Sequence, residues 1–291
     1  MAAVLSSDWQ SGKTLSECFG HVFESSIASD VTFIVGIDKE RISAHKLVLF
    51  SRSPVFYAMF EGPLAEQGEI TIPDISEEIF RMFLRYLYTD TMHLSVETVV
   101  PILYVARKYC VDILVSCCEE FLKKNLSVQN SCQLLELAHV FVMDDLKAEC
   151  LQLIVDLPTV IFQSQSFLDL GSNCLTIITE SDDLSADEID VYKAVISWAK
   201  AECERQKLEK TPSNLHHVLG AILYNVRFPV MDHEFFLKEV CYDKVLPAED
   251  VVQVINYHHH KAGQEEISNS KFNHNNRKYS RREILWRRRD R

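Results

Sequence analysis

The sequence predicts a chain of two structured parts, an α+β domain with a short sheet followed by an all-helical domain. Three observations support this division. Three runs of β-branched and aromatic residues, typical of strands, all precede residue 75. Apolar residues at helical spacing then continue to residue 257, and the last stretch is rich in Asn, Ser and clustered charge.

These patterns give the boundaries that we expect. An N-terminal extension of residues 1–19 precedes an α+β domain of residues 20–125, and an all-helical domain covers residues 126–257. Residues 258–291 have few core-forming side chains, so we expect a basic tail that is disordered alone.

The strands of the first domain are predicted at residues 29–36, 41–43 and 69–72, the last of which stops at Pro73. Residues 44–50 are predicted to turn helical, and Pro54 suits the first turn of another helix. Three strands with about five helices make an α+β domain of roughly 100 residues.

N-capping residues predict where further helices begin. Asp74, with Glu77 three residues later, resembles a capping box before a run of apolar residues at helical spacing. Ser95 is expected to cap the next helix, and residues 111–122 supply another. The helix starts predicted in the second domain are Ser127, Asp144 with Asp145, a Ser185 and Glu188 capping box, and Thr211 with Pro212 at the first helical position.

Charge is divided unevenly along the chain. The 291 residues include 30 Lys and Arg against 42 Asp and Glu, a formal net charge of −12. Residues 261–291 carry +6, which leaves −18 on the other 260 residues. An acidic body with a basic tail indicates different partners for the two, and the body opposes nucleic-acid binding.

Composition excludes several classes of protein. A hydrophobic fraction of 47% excludes wholesale disorder. The longest apolar run, residues 99–106, is far below the roughly 20 residues of a membrane span. The amino terminus has neither a basic leader nor a long apolar stretch, so we expect a cytoplasmic protein with nine reduced Cys, of which Cys117 and Cys118 are read as core residues.

None of the candidate phosphate-binding, metal-binding or catalytic motifs has the required spacing. Gly12-Lys13-Thr14 ends like a phosphate-binding loop, but Ser7 stands where that loop needs a Gly. His258-His259-His260 has no Cys partner at zinc-finger spacing, and no nucleophile elbow or acid/base pair stands out. We therefore expect a protein that is not an enzyme and that holds no metal and no cofactor.

Seven segments together resemble a BTB (POZ) domain followed by a BACK domain. The BTB-like segments are SDVTF at 29–33, AHKLVL at 44–49, SPVFYAMF at 53–60 and FLRYLYTD at 83–90; the BACK-like segments are NSCQLL at 130–135, WAKAEC at 198–203 and VRFPVM at 226–231. Residues 198–231, with HVLG at 217–220, look closest to BTB-BACK proteins that carry a C-terminal PHR domain. That domain is missing here, which leaves open whether the chain is naturally short or truncated, and puts substrate selection in doubt.

The resemblance implies an adaptor that dimerises through its BTB domain, with itself or with related BTB proteins, and binds cullin-3 for ubiquitin transfer. Such proteins use a hydrophobic-any-Glu motif after the helix that ends near Phe60, and Leu64-Ala65-Glu66 stands in that place. Tyr109 matches an aromatic presented on the adjoining face. Leu64 as a locally packed loop residue and Tyr109 as an ordinary core residue remain alternatives.

Three more residues would lie near a pocket close to the dimer interface in such proteins, namely Asp30, His45 and Lys46. An Asp held by neighbouring donors is equally a structural device.

The basic tail admits two interpretations. Residues 277–282 and 286–289 suit phosphate backbones or nuclear import, whereas a solvated linker explains the same charge. A nuclear transcription co-regulator with a DNA-binding or import tail is therefore the alternative to the cullin-3 adaptor.

Overall fold

The structure, a computed structural model, describes residues 9–63, 65, 68–260 and 271–278. These residues divide after Lys124 into two compact units. The first unit is α+β and the second is helical, in agreement with the fold class predicted from the sequence.

A three-stranded sheet organises the first unit. Its strands are β1 (Val31–Val35), β2 (Glu40–Ala44) and β3 (Ile70–Ile72), in the order β2-β1-β3. The central strand β1 pairs antiparallel with β2 and parallel with β3. Alternate residues of β1 are buried, so one face of the sheet lies in the core.

The described residues of the first unit also form six helices. They are α1 (Leu15–Ser25), α2 (Lys46–Arg52), α3 (Pro54–Glu61), α4 (Glu77–Thr89), α5 (Val99–Lys108) and α6 (Asp112–Lys124). Aromatic rings fill the centre: Phe33 of β1 contacts Phe56 of α3 and Phe80 of α4, with ring centroids 5.8 and 5.2 Å away. Aromatic pairs at these distances add to the free energy gained by burial alone.

Helix α1 was not predicted, and it runs through residue 19, where the sequence analysis ended the N-terminal extension. A capping box begins it: the Thr14 side chain accepts from the Glu17 amide, and the Glu17 carboxylate accepts from the Thr14 amide at 2.8 Å. This Thr-x-x-Glu pattern was the available signal.

Two predicted caps of the first unit need correction. Helix α4 begins after Ser76, not Asp74, and the Asp74 carboxylate accepts hydrogen bonds from α5 instead. Ser95 does accept from the Thr98 amide at 3.3 Å, but α5 begins only at Val99.

The second unit consists of short and medium helices. They are α7 (Ser131–Val140), α8 (Asp144–Asp156), α9 (Pro158–Ile161), α10 (Gln165–Leu168), α11 (Ser172–Glu180), α12 (Glu188–Arg205), α13 (Pro212–Leu219), α14 (His233–Phe235), α15 (Cys241–Asp243) and α16 (Ala248–His260). Residues Gly220–Asn225 and Phe228–Val230 are 3-10 helical, and a π-helical turn at Phe236–Val240 joins α14 to α15.

The starts of α8 and α13 agree with the sequence analysis, and the Thr211 side chain accepts from the Asn214 amide. The other two predicted caps were wrong. Helix α7 begins after Asn130, whose side chain accepts from the Ser127 amide at 2.7 Å.

The predicted Ser185 and Glu188 capping box does not form. The N-cap of α12 is Asp187. The Ser185 amide donates to the Val155 carbonyl at 2.9 Å, and the Glu188 carboxylate binds Arg227 and Arg277. Long-range partners therefore displaced the local hydrogen bonds of a capping box, an outcome that spacing alone does not reveal.

Part of the predicted tail has a fixed place in the second unit. Helix α16 continues through His260, three residues beyond the predicted boundary. Residues 271–278 lie against the second unit with Phe272 and Arg277 buried, so contacts with that unit order this part of the tail, and disorder of the tail alone stays a prediction. None of the helices in the described ranges combines the length and the apolar character that crossing a membrane requires.

Candidate protein-interaction site

An apolar groove of about 360 Å³ opens on the first unit among α1, α2 and α4. Its apolar lining comprises Leu15, Phe19, Leu47, Val48, Leu87 and Tyr88. Leu15 is 74% exposed and Leu47 is 66% exposed, although both are large apolar side chains. Adjacent exposed leucines beside a groove provide surface that another protein can bury.

The groove has a charged rim. Arg52 of α2 forms an ion pair with Asp90, the residue that follows α4. The hydrogen bonds from Arg52 lower the pKa of the Asp90 carboxyl. The rim therefore carries fixed donors and acceptors around an apolar centre, the arrangement found at many protein interfaces.

Below the groove, hydrogen bonds between Tyr88 and His45 hold both side chains in place. The Tyr88 hydroxyl accepts from the His45 amide at 2.7 Å and lies 2.8 Å from His45 Nδ1, while His45 Nε2 lies 2.7 Å from the Ile27 carbonyl. A consistent assignment has Tyr88 donating to Nδ1 and Nε2–H donating to Ile27. Burial raises the pKa of Tyr88, so its hydroxyl keeps the proton that this assignment needs.

The predicted pocket residues thus lie at the base of α2. Asp30 is exposed, and its carboxylate accepts from the Lys46 amide at 2.8 Å, which satisfies a free amide of the first turn of α2. The Lys46 ammonium lies 5.5 Å from the centre of the Phe60 ring. The hydrogen bonds of Asp30 and His45 stabilise the local structure around α2. A ligand-binding role for the three residues stays a prediction.

Two residues of the predicted cullin motif, Leu64 and Glu66, lie outside the described residues. Ala65 is half-buried, and its amide donates to the Gly62 carbonyl at 3.1 Å. Helix α3 ends at Glu61 and β3 begins at Ile70, so the motif belongs to the connection between these two elements.

Tyr109 does not lie on the surface, which corrects its predicted role as an aromatic presented to a partner. Only 1% of it is exposed. Its ring stacks on Phe56 at 4.5 Å between centroids and lies 5.2 Å from that of Phe83. Ser53 Oγ donates to the Tyr109 carbonyl at 2.6 Å and so holds the chain where α5 ends. Burial of the ring favours the alternative reading of Tyr109 as a core residue.

A different cluster occupies the exposed side of α5, and the sequence analysis missed it. Tyr104 and Lys108, one helical turn apart, both donate to the Asp74 carboxylate, at 2.6 and 2.7 Å. The hydrogen bond from Lys108, followed by that from Tyr104, lowers the pKa of Asp74. Tyr104 is 42% exposed, so this cluster offers the polar aromatic surface that Tyr109 does not. The four-residue spacing in α5 was a signal, but its partner Asp74 had been read as a helix cap.

Within the described part of the chain no group of three or more His, Cys, Asp or Glu is placed to hold a metal ion. The prediction that Cys117 and Cys118 are core residues holds for Cys118 but is wrong for Cys117, which is exposed. Burial raises the pKa of Cys118 to about 12 and that of Cys132 to about 11.

Comparison with known proteins identifies both units. A BTB/POZ domain model matches residues 19–126, and a BACK model, described as "BTB And C-terminal Kelch", matches residues 131–241. The chain is 39% identical to BTB/POZ domain-containing protein 6 of Mus musculus over 249 residues, which are 84% of this chain and 46% of that protein.

Two human proteins give similar values. BTB/POZ domain-containing protein 6 of Homo sapiens is 38% identical over 240 residues, or 81% of this chain and 45% of that protein. BTB/POZ domain-containing protein 3 of Homo sapiens is 37% identical over 236 residues, or 80% of this chain and 45% of that protein. The chain thus spans less than half the length of these curated relatives.

Proposed function

The chain belongs to the BTB-BACK family, and on this premise we propose that it is a non-enzymatic, cytoplasmic adaptor that dimerises through its BTB/POZ domain and recruits cullin-3 to a ubiquitin ligase. BTB domains mediate protein-protein interaction and dimerisation, and the order BTB then BACK is typical of cullin-3 adaptors. The domain order is the observation that carries the proposal. The protein substrate is a separate question, because the matched relatives extend well beyond the aligned region.

The groove among α1, α2 and α4 supports dimerisation. Leu15 and Leu47 are exposed on the first unit and are the groove residues that a second BTB domain, from another copy or from a related protein, would bury. Burial of a Leu side chain contributes about 1.5–3 kcal/mol, so two such residues from each copy form the apolar centre of an interface. The neighbouring Arg52 and Asp90 supply the polar rim.

The test of dimerisation uses the full chain. We expect light scattering to give twice the monomer mass for the wild type, and the monomer mass for a Leu15→Asp, Leu47→Asp variant, since each carboxylate would have to be desolvated at the interface. Val96→Asp is the matched control, because Val96 is 72% exposed on the same unit and does not line the groove. A wild-type monomer, or a dimer in the Leu15/Leu47 variant, contradicts this part of the proposal.

The cullin-3 contact is assigned to Leu64 and Glu66 on the strength of their place between α3 and β3. An apolar side chain that fills a pocket and a carboxylate that fixes register are the usual elements of such a contact. Tyr109 has no part in it, since its ring is buried in the core.

A pull-down of cullin-3 tests this assignment with a matched control. The Leu64→Asp, Glu66→Lys variant should recover at least tenfold less cullin-3 than the wild type, as expected when a central anchor worth about 2 kcal/mol or more is lost. The control Val96→Asp, Glu97→Lys makes the same change of charge where both side chains are exposed, and it should recover as much as the wild type. Equal recovery with both variants refutes the contact.

The alternative function, a nuclear transcription co-regulator, has less structural support than the adaptor. Its basic segment begins at Arg277, which is buried and paired with Glu188 and is therefore not available to a phosphate backbone. Fluorescence localisation of the full chain, with and without residues 279–291, tests the cytoplasmic assignment: nuclear signal that depends on those residues would favour the co-regulator.

A further inference from the structure

Residues 271–278, which we call the strap, cross the second unit without forming a helix or a strand. Two of its side chains point inward: Phe272 is 3% exposed and Arg277 is 5% exposed. Lys271, Asn273 and Lys278 are exposed. Of the four residues between the two anchors, three are exposed and His274 is half-buried. Buried anchors separated by largely exposed residues are a pattern by which short extended peptides bind to folded domains.

Arg277 lies in a cage of acceptors. Its Nε donates to Glu188 Oε1 at 2.6 Å, and its Nη1 donates to the carbonyls of Thr179 and Ser181, both at 2.8 Å. Its Nη2 donates to the Asn225 carbonyl at 2.9 Å. Four acceptors in different directions match the planar fork of a guanidinium and cannot all be satisfied by the ammonium of Lys, which has three donors.

The cage favours a cation at this point of the second unit. Thr179 lies in the last turn of α11 and Ser181 directly follows that helix, where carbonyls lack helical partners and carry partial negative charge. Glu188 is 7% exposed, and its other oxygen accepts from the Arg227 amide at 2.9 Å. If Arg277 leaves, water must take its place beside this carboxylate.

The other end of the strap is held by aromatic and ionic contacts. The Phe272 ring lies 5.8 Å from that of Tyr224 and 5.7 Å from that of Phe228, edge-on to the latter. Next to it, Lys271 forms an ion pair with Asp250, which is 1% exposed. An aromatic pocket and a buried carboxylate therefore receive the first two residues of the strap.

The main chain of the strap is also bound. Arg227 Nη1 donates to the Asn275 carbonyl at 3.0 Å, and the Lys278 amide donates to the Asp182 carbonyl at 2.8 Å. Arg227 itself pairs with Asp182, so both main-chain contacts depend on one local cluster.

The apolar core of the second unit is built largely from residues that precede the strap. Its largest buried side chain, Trp198, donates from Nε1 to the Leu170 carbonyl at 2.7 Å, and both residues precede the strap by more than seventy positions. The strap adds two rings, the buried Phe272 and the half-buried His274, whose ring lies 4.4 Å from that of Tyr257.

We propose that the second unit contains a peptide-binding site whose occupant is the chain's own strap, recognised through Phe272 and Arg277. The site takes an extended segment with an aromatic residue and an arginine five positions apart, a span of at most about 17 Å. This inference concerns the BACK unit and does not depend on cullin-3 or on dimerisation.

Hydrogen exchange on the full chain tests whether the strap is a docked ligand or part of the core. In the wild type, we expect added urea to abolish protection of the strap at a concentration that still leaves α11 and α12 protected. Arg277→Ala should raise strap exchange at least tenfold and leave α12 protected, since water can enter the vacated cage. Lys278→Ala is the matched control and should exchange like the wild type, because that side chain is exposed and pairs only with an exposed Asp183.

A binding experiment then tests recognition in trans. The probe is a fluorescein-labelled peptide of residues 271–278, added to the full-length Arg277→Ala chain and followed by fluorescence anisotropy. We expect at least tenfold tighter binding to this variant than to the wild type, whose tethered strap competes at an effective concentration on the order of millimolar. A probe with Arg277→Lys should bind the same variant at least tenfold more weakly.

Three results would overturn the proposal. In the first, the strap and α12 of the wild type lose their protection from hydrogen exchange at the same urea concentration, which would make the strap part of the core. Another is unchanged strap exchange in Arg277→Ala. The third is equal binding of the probe to the variant and the wild type, or no binding to either.

Discussion

Replacement of Tyr109 by Ala separates the two roles considered for this residue. The side chain is 1% exposed and packs on Phe56 and Phe83 with ring centroids 4.5 and 5.2 Å away. Removal of a buried aromatic ring loses its transfer free energy and leaves a cavity, which together cost about 3–5 kcal/mol. A surface residue of an interface would cost almost nothing in the free protein.

Hydrogen exchange with mass spectrometry is the suitable assay, because the chain has two units and one unfolding curve would mix them. A loss of about 3–5 kcal/mol corresponds to roughly 10² to 10⁴ times faster exchange of the most protected amides of α3 and α4. Helix α12 of the second unit is the internal reference and should change little.

Tyr104→Ala is the matched control for this measurement. Tyr104 lies in α5, the helix that ends just before Tyr109, but it is 42% exposed, and its replacement removes chiefly a hydrogen bond to Asp74. We expect a change of about 1 kcal/mol or less in the first unit. Unchanged exchange in α3 and α4 of Tyr109→Ala, with reduced cullin-3 binding, would refute the core assignment.

Three further predictions concern the helix cap, the carboxylate cluster and the thiols. Thr14→Ala should destabilise α1 by about 1 kcal/mol, seen as faster exchange of that helix, whereas equal rates would argue against the capping box. Because its pKa is lowered on folding, Asp74 contributes stability that is fully present above its unfolded pKa of about 3.9 and is lost as pH falls through the lower folded value. Protection of the amides of α4 and α5 against hydrogen exchange should therefore differ between wild type and Asp74→Asn at pH 6, and the difference should shrink as pH falls below about 4. A constant difference would contradict this. Maleimide at pH 7 should label exposed Cys110 and Cys117 well before buried Cys118, and mass spectrometry that finds Cys118 labelled first would contradict the burial.

Most of the secondary structure could be predicted because its signals are local. Period-two runs marked the three strands, and Thr211 with Pro212 marked the start of α13. Helix α1, which was not predicted, is also encoded locally, by the capping box of Thr14 and Glu17. Boundaries such as that of α4 shifted by a few residues where an acidic residue had two available uses.

The candidate sites were harder to predict than the elements. The sequence showed that Tyr109 follows an amphipathic helix, but not which way its ring turns when the helix ends. Likewise, His45 and Tyr88 are 43 residues apart, and only the packing of α2 against α4 brings the hydroxyl to the imidazole. Groove-lining Leu15 had been assigned to an extension because α1 was not predicted.

Sequence alone determined the order of an α+β unit and a helical unit, since hydrophobic period and turn residues act over a few positions. It also determined that the chain is acidic with a basic end. Tertiary structure decided what the charged residues do. Glu188 and Arg277 are 89 positions apart, and the sequence predicted the first in a capping box and the second in a basic tail. The fold buries them together because each satisfies the other. A basic residue of the tail thereby became an anchor of the helical unit, for the physical reason that a buried carboxylate needs a donor and the chain supplies one from far away.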